Sequence, residues 1–445
     1  MKRIILLAKL FPLIFIGISL QAQTDGKVNL DFVYNIPIWM NENLVPAVGV
    51  GVIENGEISY IKVFGELQKG VPAPDDAIFN VASITKTVVT MLTLQLVENG
   101  EWALDEPLYQ YWVDPDVAED SLHKILTTRH VLTHQTGFSN WRRETKGKLN
   151  FNFPPGTKYQ YSGEGFEYLR HALENKFNTP LERLTDSLLF KPLSMKNTHQ
   201  SWDSTIDESR FAMWHDHEGN KYEMSYKTGV NAAADMLTTV EDYCRFGIFV
   251  MEVGGLSSTL YKDMVTPQSN ILEHSAIGLG WFIVMGLPHD EYMIYHRGGQ
   301  AGVKTIGVFL PKSKRGVVVF TNGENGMDVY NNVIKEVFEE GEIIYEYMHE
   351  RPNLPEMIQL PDKVIKKYIG HYQYPDLNIV SEKENEIILF LTGLPKTRLY
   401  PKSENKFFMK EFDVELEFIE DEERANTKLI LFLEANKMFE AYKVK

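Results

Sequence analysis

The sequence predicts an α+β fold followed by a small all-β domain. Three observations point there. Strand patterns open and close the first three-quarters of the chain, helical periodicity fills the stretch between them, and short strands separated by charged turns follow a cluster of prolines. The opening strands are Val48-Gly-Val-Gly-Val-Ile53 and Ile58–Val63, joined through Asn55-Gly56, a pair that suits a type I′ hairpin turn. From about residue 83 to 265 the apolar spacing is helical. Val88, Val89, Met91, Leu92, Leu94 and Leu96 form a run stopped by Asn99-Gly100. Phe166, Leu169, Leu173 and Phe177 fall on one stripe, and Val240, Tyr243 and Phe246 on another. Strand patterns return at Tyr292–His296, Lys304–Phe309 and Gly316–Thr321, and a helix is expected over Val329–Glu340. Strands from both ends with helices between them make one antiparallel sheet covered by helices. Pro352, Pro355 and Pro361 mark a linker over 346–361, and strands at Glu386–Leu391, Lys406–Met409, Val414–Phe418 and Lys428–Phe432 place an all-β domain at 362–445.

Residues 1–22 read as a secretory signal peptide: Lys2 and Arg3 precede an apolar stretch from Ile4 to Leu20, with cleavage after Ala22. Lys9 and Pro12 interrupt that stretch and argue against a spanning anchor. No later segment is apolar enough to span a bilayer, so the mature chain is expected without a transmembrane span, periplasmic or secreted. Cys244 is the only cysteine, which excludes an intramolecular disulfide. The formal charge of −16 becomes about −19 once the signal is removed, a balance that disfavours nucleic acid and anionic lipid as partners. Oligomeric state is not readable from these patterns.

Chemistry is concentrated in Ser83-Ile-Thr-Lys86, Tyr161-Ser162 and His296-Arg-Gly-Gly299. Residues three apart on a helix share a face, so Lys86 would lie beside the Ser83 hydroxyl, and burial would lower its pKa enough for it to take the serine proton. A helix beginning at the serine also leaves its backbone N–H free to meet an oxyanion. The same spacing occurs at Ser121–Lys124 and Ser403–Lys406, but only Ser83 opens a long apolar helix. Tyr161 sits on the loop entering the Phe166–Phe177 helix, where a neighbouring ammonium would ease loss of its proton and allow a relay. Gly298 and Gly299 end a strand and let a ligand approach the backbone. Gly299 N–H is the candidate second oxyanion donor and His296 a polar wall of the pocket. The run His215-Asp-His-Glu218 suits zinc by residue type but lacks an obvious third ligand, so no metal is expected there. Cys244 reads as a small core residue.

Together, Phe79–Lys86, Thr128–Gly137, Pro155–Ser162, Gly278–Trp281 and His296–Gly299 resemble the serine β-lactamase and penicillin-binding protein superfamily. The likeness spans about residues 30–345 and is to the class C β-lactamase-like branch, which also holds esterases and D-amino-acid peptidases. It implies a helical subdomain beside the sheet with the site between them. It also implies Ser83 as the acylated nucleophile, Lys86 and Tyr161 sharing acid–base work, and the amides of Ser83 and Gly299 as oxyanion hole. No cofactor or metal is implied, and the loop holding His130 and His134 is structural. Two positions depart from the family pattern. Gly163 stands where an asparagine usually binds the substrate amide, and His296 replaces a lysine that helps hold a substrate carboxylate. Glu164 follows closely as either a substrate contact or a helix N-terminal acid. The tail resembles lipocalin-like domains appended to such hydrolases. The expectation is an exported serine hydrolase acting on a small ester, an amide of a D-amino acid or peptide, or, last, a β-lactam. The alternative is a binding or sensor protein that acylates without efficient turnover.

Overall fold

The computed structural model describes residues 29–444 apart from 224–225, 351–353, 374–376, 381–386, 392–396, 410–413, 422–425 and 434–435; the signal segment expected at 1–22 lies outside the described residues. Helix α1 (Ile36–Glu42) leads into β1 (Ala47–Glu54) and β2 (Glu57–Gln68), an antiparallel hairpin, and β3 (Val71–Pro72) folds back on the end of β2. Asn55 and Gly56 have φ of 55° and 77°, the left-handed pair that a type I′ turn requires. β4 (Phe79–Asn80) pairs far along the chain with β5 (Leu237–Thr238) as a separate two-stranded ladder. The closing strands are β6 (Ser269–Asn270), β7 (Ser275–Ile277), β8 (Phe282–Val284), β9 (Met293–Gln300), β10 (Val303–Leu310) and β11 (Arg315–Thr321). They assemble with the opening hairpin into a nine-stranded antiparallel sheet of order β3-β2-β1-β11-β10-β9-β8-β7-β6.

Between the two groups of strands run α2 (Thr85–Glu98), α3 (Thr128–Leu132), α4 (Gly163–Phe177), α5 (Leu181–Thr185), α6 (Val240–Met251) and α7 (Ser258–Met264). The alternating Val-Gly pattern of β1 shows how the sheet is covered. Val48, Val50 and Val52 face a core shared with Val329 and Val333 of α8 (Gly326–Val337). Gly49 and Gly51 face α6, and a Cβ on Gly51 would lie 2.4 Å from Cys244 Sγ. Only glycine admits the helix this closely, and Cys244 is fully buried as a core residue. α8 begins and ends three residues earlier than the sequence pattern suggests. Phe338 turns extended, Glu340 pairs with the buried Arg315, and α9 (Gly341–Met348) follows. Gly341 makes that corner possible, since a Cβ there would lie 2.3 Å from the Lys335 carbonyl oxygen.

The tail opens on a helix, Asp362–Tyr368, and continues as eight antiparallel strands in sequential order from Gly370–Tyr372 to Asn436–Tyr442. Gln373 N–H donates to the Tyr442 carbonyl at 2.7 Å and Val444 N–H to that of His371 at 2.8 Å, so the last segment returns to the first and the sheet nearly closes. Closure satisfies strand edges that an open sheet would leave unpaired. The strands Gly370–Tyr372, Leu377–Val380, Thr397–Pro401 and Asn436–Tyr442 go beyond the four read from sequence; the first three have only three to five residues, too few to carry a periodic signal. Glu386, expected to begin one of those four, lies outside the described residues.

Candidate active site

Ser83 lies in a single 3-10 turn, Ala82–Ile84, that feeds directly into α2. α2 is buried on nearly all sides, with Thr87 and Thr93 returning their hydroxyls to carbonyls of Ile84 and Val89. The residue before Ser83, Ala82, has φ of 46°, a left-handed conformation that costs a non-glycine residue on the order of 1 kcal/mol. Three bonds hold it there. Ala82 N–H donates to Asn80 Oδ1 at 2.8 Å, Thr85 Oγ1 donates to the Ala82 carbonyl at 2.6 Å, and Val81 N–H donates to the Met236 carbonyl at 3.0 Å.

Lys86 is fully buried, with Nζ 3.1 Å from Ser83 Oγ and 2.8 Å from the Ala233 carbonyl oxygen. Burial lowers its pKa from 10.5 to about 7, against the raising influence of the Glu167 carboxylate. That shift corresponds to roughly 5 kcal/mol of penalty on the ammonium form. Glu167, on α4, does a second job: its Oε1 accepts the Ala232 N–H at 2.6 Å and thereby fixes the loop whose next carbonyl receives Lys86.

Tyr161 packs beneath the Lys86 ammonium, 4.7 Å from Nζ to the ring centroid, and its hydroxyl hydrogen-bonds Ser83. Its acidity corrects the expectation drawn from a cationic neighbour. Desolvation pushes the Tyr161 hydroxyl well above its usual range, and the Ser83 bond only partly offsets this. The lysine that would have stabilised a tyrosinate is itself half neutral near pH 7, so Tyr161 rests protonated. His134, read from sequence as structural, positions this tyrosine. Its ring lies 4.2 Å from that of Tyr161 and its Nδ1 accepts the Ser162 N–H at 3.1 Å. Ser162 then caps α4, its hydroxyl accepting from Gly165 N–H at 3.1 Å.

The end of β9 meets the turn that holds Ser83. A Cβ on Gly298 would lie 2.1 Å from the Val81 carbonyl oxygen, an oxygen that also accepts from Thr305 Oγ1 at 3.0 Å. Gly298 therefore serves close packing of β9 on the turn rather than an opening for ligand, while Gly299 beside it is exposed, and a Cβ there would meet Lys304 Cδ at 3.9 Å without a clash. His296 is 1% exposed. Its Nδ1 is 2.7 Å from the Arg297 carbonyl, which fixes the proton on Nδ1 and leaves Nε2 a buried acceptor with no partner. Burial, with Lys86 as the second cause, lowers its pKa to about 3, so it is neutral throughout the working range.

Gly163 starts α4 and donates its N–H to Asn140 Oδ1 at 2.9 Å. A Cβ there would strike the indole of Trp141 at 2.7 Å, so Trp141 occupies the space an asparagine side chain would take. Nothing in the linear motif announces this, since Trp141 arrives from a loop 22 residues earlier. Glu164 is drawn into the same loop: it accepts from Arg142 N at 3.0 Å and Nε at 2.9 Å, and Arg142 continues to Asp114. It clamps the loop and is itself buried. His215–Glu218 form a turn in which His215 Nδ1 meets the Asn322 carbonyl and Asp216 Oδ1 accepts from Glu218 and Asn220 N–H groups.

A protein-family model described as Beta-lactamase matches residues 40–338. Penicillin-binding protein 4* of Bacillus subtilis is 22% identical over 420 residues, covering 85% of this chain and 91% of its own length. Esterase EstB of Burkholderia gladioli is 30% identical over 185 residues, 35% of this chain and 46% of the esterase. Among solved structures, an octameric penicillin-binding protein homologue from Pyrococcus abyssi superposes with a TM-score of 0.62 at 19% identity, covering 93% of this chain and 99% of that one.

Proposed function

Since the chain belongs to the beta-lactamase family and is a serine hydrolase, we propose that it forms an acyl-enzyme on Ser83 and hydrolyses small esters first, amides of D-amino acids or peptides second, and β-lactams last. The observation that carries this reading is Ser83 Oγ held between a half-neutral Lys86 and a protonated Tyr161. Neutral Lys86 takes the Ser83 proton as the oxygen attacks the acyl carbon, and the amides of Ser83 and Gly299 receive the oxyanion. Protonated Tyr161 supplies the proton to the departing alkoxide or amine, and the proton taken up by Lys86 then passes to the Tyr161 oxygen, which restores both groups. Water repeats the attack in the second half and frees Ser83.

The substrate order follows from two positions. Trp141 replaces an amide donor over Gly163, so a substrate's acyl-amide group finds an apolar wall there. Neutral His296 offers a lone pair where a cation would favour a carboxylate. Both features suit a neutral ester and disfavour an anionic β-lactam or a D-Ala-D-Ala terminus. The N-terminal pattern supports an exported protein, and no helix among the described residues is long and apolar enough to cross a membrane. p-Nitrophenyl acetate turnover is expected, with a chromogenic cephalosporin turned over far more slowly. Cephalosporin turnover equal to that of the ester would overturn the order, and acylation of Ser83 by either without release, read by intact mass, would make the protein a binder.

Substitution of Gly163 by asparagine is expected to destabilise the fold by about 1–3 kcal/mol through collision with Trp141, measured by urea unfolding. The double change with Trp141→Ala should recover most of that loss. Equal stability of the single and double variants would mean that the indole moves aside freely.

A further inference from the structure

The two amides assigned to the oxyanion belong to segments far apart in sequence, and two side chains join those segments. Gln300 and Val303 face each other across a two-residue turn, so they form a hydrogen-bonded pair of the β9–β10 ladder and the next pair, Gly299 with Lys304, does not. The Gly299 N–H therefore turns away from β10. β8 reaches β9 only as far as Tyr295, so among the described residues no strand covers that N–H from the other side.

Gly299 has no side chain to hold it, and its neighbours set its place. On one side Gly298 rests against the Val81 carbonyl, which also accepts from Thr305 Oγ1 at 3.0 Å. On the other, Gln300 Nε2 donates to Asn80 Oδ1 at 3.0 Å, and the same Asn80 Oδ1 accepts the Ala82 N–H at 2.8 Å. A backbone N–H can only donate, so the atom it meets is the Asn80 oxygen, and the Gln300 atom on that oxygen is its amide nitrogen. One oxygen thus ties the residue after Gly299 to the residue before Ser83. Asn80 is buried and anchored by its β4–β5 pairing with Leu237. The main chain of Gln300 is held too, since the buried Lys304 donates from Nζ to its carbonyl at 3.1 Å.

We propose that Asn80 and Gln300 are positioning residues that fix the separation of the Ser83 and Gly299 amides, so that both donors meet the oxyanion of each tetrahedral intermediate. Neither touches substrate; both act through the backbone that they hold. The proposal rests on acyl transfer at Ser83 and deepens that reading.

Gln300→Met keeps the length of the side chain and removes the donor. With p-nitrophenyl acetate its kcat should fall about 10- to 100-fold with KM little changed, because a misplaced amide weakens the transition state and spares the ground state. Phenylboronic acid, which takes the Ser83 oxygen at boron to give a tetrahedral anion, should bind the variant more weakly by a similar factor. Calorimetry reads that affinity without turnover. Asn80→Ala should lose at least as much, and adding Gln300→Met to it should cost little more, because the shared bond is already gone. Losses that multiply in the double variant would mean that the two side chains act separately and would overturn the proposal, as would boronate affinity unchanged in Gln300→Met. Gln300 is half-buried at a strand end, so Gln300→Met decides the case if urea unfolding shows that Asn80→Ala does not fold. Ser83→Ala separates the two readings. Turnover that survives in it removes the acyl-enzyme, whereas a silent Ser83→Ala beside a Gln300→Met as active as wild type removes only the positioning role.

Discussion

Ser83→Ala is expected to lower p-nitrophenyl ester turnover by roughly three to six orders of magnitude, with no acyl adduct by intact mass. The fold should survive, because Ser83 is partly exposed in its turn and Lys86 Nζ keeps the Ala233 carbonyl as a partner after the hydroxyl is gone. An unfolded variant would therefore contradict the geometry as much as an active one. The loss should appear in kcat with little change in ligand binding, since the exposed Gly299 and the rest of the site are untouched. Retained turnover in the folded variant would remove Ser83 from its role as nucleophile.

Lys86→Met should cost about two to four orders of magnitude in kcat/KM, and the wild-type pH profile should show why. Acylation needs the neutral amine, so kcat/KM is expected to rise with pH through about 7 and level off above it. His296, with its pKa lowered to about 3, and Tyr161, pushed up, contribute no limb between pH 5 and 9. The same shift links to stability. The folded-state pKa of about 7 lies below the usual 10.5, so between these values the unfolded chain binds more protons and stability rises with pH; below about 7 this group adds no further slope. Lys86→Met removes that slope and should stabilise the protein at pH 7 by a few kcal/mol, on the order expected from linkage. Urea unfolding of both proteins at pH 6 and 9 measures it. A variant whose stability keeps the wild-type pH dependence would mean that Lys86 is not the group shifted by burial.

These two experiments probe residues that the sequence placed well, and the reason is local. Ser83 and Lys86 are three residues apart on one helix turn, so spacing alone brings their side chains together, and the apolar run from Val88 to Leu96 showed that the turn is buried. The Asn55-Gly56 hairpin and the main strands around the Val-Gly repeats of β1 were legible for the same reason: each is specified by neighbours in sequence. His296, 213 residues from Ser83, was placed by likeness to a family rather than by any local rule.

The sense of each side chain's chemistry was decided by tertiary structure. The sequence has a tyrosine near a lysine, which suggests an acidic phenol; burying both makes desolvation win, so the lysine is the group that loses its charge and Tyr161 stays protonated. It has a glycine in place of an asparagine, and only the fold shows Trp141 standing in the vacated space. It has a histidine, and only the Arg297 carbonyl fixes which nitrogen faces inward. Asn80 and Leu237, 157 residues apart, meet only through the β4–β5 pairing. By itself, then, the sequence determined the fold class and the closeness of Ser83 to the Lys86 amine, because those depend on short-range periodicity. Protonation, tautomer and pocket shape depend on burial and on contacts between distant segments, and those exist only once the chain has closed on itself.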